Sequence, residues 1–324
     1  MAITPKLLFT PKEMAAVDAA AIHQGIAGYT LMDRAGLAIA RLCQSLRGPG
    51  SVYILCGPGN NGGDGYVAAK YLQDVGWEVR LWAACPPEKL IGDAGEAAQQ
   101  CPIAPRMLDS MCSDDTRADI CIDALFGAGL GRPLDGALAR QLLVMLEGAD
   151  TCIAVDLPSG LCGNTGQVLG DVYAETDRCF DHTITFGARK FGHVLYPGKA
   201  LCGELWIADI GLTLEALEAH RYGALISDDA LKKSPAAFPT TLTHKYKRGH
   251  VGVVSGGNGR AGAARLAASA ALRAGAGLVT LIEPDETGPS QDGGLNALMH
   301  ASISQAEDLH ALCQARKIST LVIG

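Results

Sequence analysis

The chain reads as an α/β fold, a mostly parallel sheet with helices on both faces. Three observations carry that reading. Short apolar, β-branched runs recur at 51–56, 79–83, 119–123 and 151–156, separated by segments with helical spacing. That alternation marks parallel strands joined by crossover helices. A glycine-rich stretch at 57–65 (GPGNNGGDG) follows the first of these strands, and Asp123 and Asp156 terminate the third and fourth.

The elements follow in order. Thr10-Pro11-Lys12-Glu13 has the form of a capping box with proline at the first helical position, which predicts a helix from Pro11 to His23. A second helix is expected over 30–47, with Leu31, Ala35, Ala38 and Leu42 on one face. Ser51 to Cys56 is then a buried strand, followed by the glycine-rich turn and a helix from Tyr66 to Val75. Strands at 183–186 and 204–209 extend the sheet, and a further helix starts near Pro133.

From about Arg221 to Arg248 the rhythm breaks. Residues 234–241 (SPAAFPTT) have linker composition, and 244–248 (HKYKR) form a basic patch expected to be a solvated face. A new β–α unit begins at His250: a strand, a glycine-rich turn at 256–259 (GGNG), a helix through Leu272, then a strand from Gly275 to Ile282. The last strand is 320–323, so this second unit offers three strands at most, thin for an independent core. The expected division is residues 1–222 and 223–324.

Composition narrows the function classes. Over 324 residues, 48% are hydrophobic, 40 are glycine and only 5% are aromatic, the profile of an α/β enzyme. The net charge of −7 offers no general attraction to nucleic acid or to an anionic membrane. The 11 cysteines include no C-x-x-C pair, which disfavours zinc and a disulfide framework and points to reduced thiols in the cytoplasm. No signal peptide or apolar span is legible.

A glycine-rich turn between a buried strand and a helix puts bare N–H groups at the positive end of the helix dipole, where phosphates and nucleotides are held. Gly57, Gly59 and Gly62 satisfy G-x-G-x-x-G formally, a Rossmann-like signature. Its acidic partner should lie about 20 residues on, at the end of the next strand. There, residues 78–84 (EVRLWAA) end in apolar groups, with Glu78 at the wrong end. No Lys-Ser or Lys-Thr pair closes the turn either, so both an ordinary hydride-transfer enzyme and a P-loop ATPase are disfavoured.

Three strand ends carry chemistry and fall on one sheet edge: 60–64, 123–132 (DALFGAGLGR) and 156–160 (DLPSG). Gly127, Gly129 and Gly131 form a second loop able to wrap phosphate, to which Arg132 adds charge. Asn61, Asp123 and Ser159 are oxygen donors suited to a hard, weakly held cation, monovalent as readily as magnesium. Ser159 lacks the G-x-S-x-G elbow, which disfavours a hydrolase.

Together GPGNNGGDG (57–65), DALFGAGLGR (123–132), VDLPSG (155–160) and TFGARKFGHVLYPGK (185–199) resemble the NAD(P)H-hydrate epimerase family, over about residues 10–215. From about Lys247 the chain resembles the start of an ADP-dependent NAD(P)H-hydrate dehydratase domain, a ribokinase-like fold. The resemblance implies that the substrate, the hydrate of NADH or NADPH (NADHX or NADPHX), contacts Asn60, Asn61, Gly62, Gly63 and Asp64. It implies further contacts at Gly127, Ala128, Gly129, Leu130, Gly131, Arg132 and Pro133, with Asp156 beside them and Ala263 in the second unit. Asn61, Asp123 and Ser159 would hold a potassium ion.

Asp156 is the candidate for acid–base assistance or for orienting the nicotinamide ring, and Asp123 with its cation for positioning the pyrophosphate or ribose. A dehydratase domain continues well past residue 324 in that family, so epimerisation is expected and ADP- or ATP-dependent dehydration only with a complete second domain. Rival readings are a nicotinamide-dependent oxidoreductase and a non-catalytic binding module. A homodimer is a further expectation.

Overall fold

The computed structural model describes residues 7–110, 117–134, 136–174, 176, 178–220, 223–224, 244–257, 260–285 and 297–323. The chain divides into two compact units, Met1–Ser227 and Asp228–Gly324.

The first unit opens with β1 (Leu7–Phe9), α1 (Pro11–His23), α2 (Gly28–Leu46), β2 (Ser51–Cys56), α3 (Asn60–Asp74), β3 (Glu78–Ala83) and α4 (Gly92–Gln100). It continues through β4 (Arg106–Met107), β5 (Ala118–Ala124), α5 (Gly136–Glu147), β6 (Ala149–Val155), β7 (His182–Phe186) and β8 (Arg189–Lys190). It closes with α6 (Gly198–Leu201), β9 (Glu204–Ala208), α7 (Leu214–His220) and β10 (Gly223–Ala224).

Seven parallel strands pair in the order β4-β3-β2-β5-β6-β7-β9. Chain order reverses between β2 and β5, and in such sheets the crevice outside the strand carboxyl ends at that reversal takes the ligand. Side chains of β2 alternate between two cores, as a pleated strand requires. Val52, Ile54 and Cys56 pack with α2, α3 and α4, whereas Tyr53 and Leu55 pack with Leu142, Met145 and Leu146 of α5. Helices thus cover both faces, as the alternation predicts.

The capping box forms as read. Thr10 Oγ1 accepts from the Glu13 N–H at 3.2 Å while Glu13 Oε2 accepts from the Thr10 N–H at 2.8 Å. Thr10→Ala is expected to cost about 1 kcal/mol, read as a lower urea midpoint at unchanged slope. α1 carries cavity residues, so this cap bears on the site as well.

Four departures from the sequence reading have a clear physical reason. α3 starts at Asn60 rather than Tyr66, because residues 60–65 are the helix's first turns and only 57–59 form the link from β2. Its glycines serve close packing: a Cβ on Gly63 would lie 2.6 Å from the Met32 sulfur, and one on Gly65 2.9 Å from Cys56 Sγ. β6 stops at Val155, since Asp156 adopts a left-handed φ of 64° that no strand continues. α5 starts at Gly136, a turn after Pro133.

The fourth difference is a small sheet with order β10-β1-β8, which the sequence reading does not contain. Its strands are two or three residues long, too short to show a period. Its core, Leu7, Phe9, Met14 and Val17 with Ala188, Ala216 and Leu217, ties α1 to the segment carrying Lys190.

The second unit holds four parallel strands in the order β13-β12-β11-β14, where β11 is His250–Val254, β12 Leu278–Pro284, β13 Met299–Ile303 and β14 Thr320–Ile323. The expected ceiling of three strands is therefore corrected. β13 escapes a hydropathy reading because it is a half-exposed edge strand interrupted by His300 and Ser302. The helix Gly262–Arg273 packs Ala264 and Ala268 onto Val253, Val279 and Leu281. The linker at 234–241 and the turn residues Asn258 and Gly259 lie outside the described residues.

Candidate active site at the sheet reversal

A cavity of about 840 Å³ opens outside the carboxyl ends of β2 and β5. Its walls include α1, the start of α2, residues 58–64, Asp93 of α4, the loop 125–132, and Asp156 with Lys190. The parallel sheet delivers residues 58–64, the loop and Asp156, and the small second sheet ties α1 to the segment carrying Lys190.

Asn60, Asn61, Asp64, Gly127, Ala128, Gly129, Leu130, Gly131, Arg132 and Asp156 all line the cavity. Gly62 and Gly63 lie behind the wall, buried in α3. Pro133 packs toward Gly170, and Ala263 is exposed at the start of the second unit's helix. Gly127 sits where a side chain would intrude, since its Cβ would come 2.6 Å from Asp156 Oδ2 and 3.1 Å from Asn61 Oδ1.

Asp156 is the most heavily coordinated group. Lys190 Nζ lies 2.8 Å from its Oδ1, Thr185 Oγ1 donates to the same oxygen at 3.0 Å, and the Ala128 N–H donates to Oδ2 at 2.7 Å. Burial alone would push this carboxyl up, but the Lys190 charge and hydrogen bond together with the Ala128 N–H hold it at about 2. Asp156 is thus an anion at any working pH.

Lys190 is 3% exposed and also donates to Thr185 Oγ1 at 2.8 Å. His193 braces this pair from below. Its Nδ1 accepts from the Lys190 backbone N–H at 2.9 Å, so Nε2 carries the hydrogen and donates to the Asp156 carbonyl at 2.6 Å. Burial, with the Lys190 charge adding to it, lowers His193 to about 4 and keeps the ring neutral.

Asp123 and Ser159 sit fully buried behind the loop. Ser159 donates from its hydroxyl at 2.7 Å and from its N–H at 2.8 Å, and the Leu125 N–H donates at 3.1 Å. Ser159 Oγ accepts in turn from the Phe126 N–H at 2.9 Å, which joins β5, β6 and the loop into one network. Burial pushes Asp123 up to about 6 against those hydrogen bonds. Nδ2 of Asn61 is buried with no hydrogen-bond partner among the described residues.

Asp18 and Asp64 face the same cavity and accept no hydrogen bond from the described residues. Burial raises Asp64 well above the ordinary carboxylate value, the negative charges of Asp156 and Asp18 add to it, and Lys190 opposes them. Asp18 is raised for the same first reason. The wall therefore mixes one fixed anion, Asp156, with a carboxyl inclined to keep its proton, Asp64.

Sequence reasoning missed Asp18, Thr185, Lys190 and His193. Asp18 did leave a signal, a carboxyl within the apolar stripe Met14, Val17, Ala21 of α1. Lys190 left none beyond its place in the motif 185–199, because only the tertiary fold brings β8 back to the end of β6. Among the described residues no helix is long and apolar enough to cross a membrane.

The YjeF-related protein N-terminus family matches residues 28–192, half of the chain and every strand of the sheet reversal. The bifunctional NAD(P)H-hydrate repair enzyme Nnr of Thermofilum pendens is 36% identical over 269 residues, 80% of this chain and 49% of its own length. The enzyme of the same name from Coxiella burnetii is 32% identical over 330 residues, 98% of this chain and 64% of its own. The chain thus spans about half to two thirds of those relatives. The NAD(P)H-hydrate epimerase of Rhodopirellula baltica is 35% identical over 208 residues, covering 62% of this chain and 83% of that protein. With the family match running through every cavity-forming strand end, the chain belongs to the family of YjeF-related N-terminal domains.

Proposed function

We propose that residues 1–222 catalyse the interconversion of the R and S forms of NAD(P)H hydrate at C6 of the reduced nicotinamide ring. The observation that carries this reading is the cavity at the sheet reversal, lined by both glycine-rich motifs and by the Asp156–Lys190 pair. Inverting C6 requires the hydroxyl to leave and return, or the ring to open and reclose. Either route develops charge that preorganised groups can stabilise. An Asp156 held ionised by Lys190 suits orientation of the ring and stabilisation of positive charge better than proton transfer.

The donor set fits a potassium ion. Asp123 is a fully buried carboxylate whose hydrogen-bond partners are all neutral. Asn61, Asp123 and Ser159 would hold the ion, whose charge would offset that carboxylate and tether the loop after β5. A hard monovalent cation suits one carboxylate among neutral oxygens.

Residues 223–324, with Ala263 touching the hydrate, would form the first part of an ADP- or ATP-dependent dehydratase domain. A cytoplasmic location is supported by the cysteines, ten of which are free thiols among the described residues.

The test is chromatographic. Purified chain is mixed with separated R-hydrate of NADPH, and both epimers are followed with and without potassium. Interconversion above the spontaneous rate, faster with potassium than with sodium, is the expected result. A rate equal to the blank in both salts would sink the reading.

A further inference from the structure

Six charged or titratable side chains face this cavity: Asp18 from α1, Asp64 from α3, Asp93 from α4, Asp156 after β6, Lys190 from β8 and Arg132 from the loop. Their roles are set apart by partners. Asp156 has a lysine, a hydroxyl and a backbone N–H on its two oxygens. Asp18 and Asp64 have none of these among the described residues, although both border the cavity. Carboxyls that share a poorly solvated site cannot all ionise, and the one without a counter-charge keeps its proton.

We propose that Asp64 is the proton donor to the departing C6 hydroxyl, and that Asp18, across the cavity on α1, is the positioning residue that keeps that proton in place. This rests on the epimerase reading above. The C6–O bond breaks with its electron pair on oxygen, which takes the Asp64 proton and leaves as water. The N1 lone pair closes a C6=N1 double bond, and the resulting positive charge is stabilised by the Asp156 carboxylate. Water then adds to the opposite face of C6. The C6=N1 pair returns to N1, and the surplus proton returns to Asp64. No oxidant, reductant or further co-reactant enters.

Burial strengthens the argument, because Asp64 is raised first by desolvation and then by the negative charges of Asp156 and Asp18. Asp156 is driven the other way by Lys190. Environments that push neighbouring carboxyls apart assign one as acid and the other as stabilising anion. The Asp18 charge is among the causes that raise Asp64, so removing it should lower Asp64.

The experiment uses the full chain, potassium present throughout, with two readouts. Asp64→Asn is expected to lower kcat about 10²- to 10⁴-fold, with KM for the hydrate changed only a few-fold. Asp18→Asn is expected to retain turnover but to move the alkaline limb of its pH profile to lower pH, since one negative neighbour of Asp64 is gone. Independently of turnover, difference infrared spectroscopy should show a carboxylic-acid C=O band at neutral pH in the parent that Asp64→Asn abolishes.

Turnover by Asp64→Asn within a few-fold of the parent overturns the donor role. An Asp18→Asn profile that superimposes on the parent's overturns the positioning role. If the parent shows the band but no epimerisation, the proton pair stands and the epimerase reading is what fails. If neither band nor turnover is found, both fail.

Discussion

Lys190→Met is expected to destabilise the first unit by about 3–5 kcal/mol, the cost of leaving one member of a buried ion pair without its partner. Methionine preserves most of the stem, so the loss reports charge rather than volume. Lys190 is 3% exposed and its Nζ contacts Asp156 and Thr185 at 2.8 Å each, a pair largely withdrawn from bulk solvent. Adding Asp156→Asn should recover a large part of the loss, since the uncompensated charge is then gone. Asparagine also tolerates the φ of 64° found at that position. Denaturant titrations of the single and double variants check this, and a double variant as unstable as Lys190→Met would refute it.

The same pair carries an acid signature. Asp156 binds its proton at about 2 in the folded chain against an ordinary value of 3.8. Between those values the unfolded state binds more protons, so stability falls as pH falls. The contribution, about 2 kcal/mol at 1.36 kcal/mol per unit, is complete above pH 4 and lost on approach to pH 2. In Lys190→Met this step should disappear, which a comparison of acid unfolding for the two proteins would show.

Gly57→Ala is expected to be the second severe change. A Cβ at Gly57 would stand 1.7 Å from the backbone carbonyl oxygen of Leu125. That oxygen belongs to the segment leaving β5, and the Gly57 N–H itself donates to the Ala124 carbonyl at 3.0 Å. Neither backbone can yield without opening the β2–β5 edge on which the cavity is built. Overpacking in a core commonly costs about 1–3 kcal/mol, and a contact this short against backbone should cost about 3 kcal/mol or more.

Gly59→Ala is the control. Nothing lies within 4 Å of its Cβ, and its φ of −121° is open to any residue. The melting temperature of Gly59→Ala should stay near the parent's while that of Gly57→Ala falls by many degrees. Equal effects would show that the loop senses glycine content and not the approach of two strands.

What the sequence determined by itself is the framework. Continuous apolar, β-branched runs, an intact capping box and glycines after β2 and β5 are local signals, each readable within a dozen residues. They place β2, β5 and β6 to within two residues at each end and put Asn60, Asn61, Asp64, Gly127 and Asp156 on one edge, because parallel strands must end on the same side. The start of α3 was misread for a local reason as well. Glycine is a poor helix former by propensity, and the packing that favours it at 62, 63 and 65 is tertiary.

Only the tertiary structure decided the charge state of the site. Lys190 lies 34 positions after Asp156, on a two-residue strand held by β1, and nothing between them predicts a contact. Asp18 reaches the cavity because α1 is pinned by the same small sheet. A carboxyl's proton affinity depends on burial and on charges that arrive from distant parts of the chain. The residue types were therefore legible in order along the sequence, while the assignment of anion and acid among Asp18, Asp64 and Asp156 waited for their positions in space.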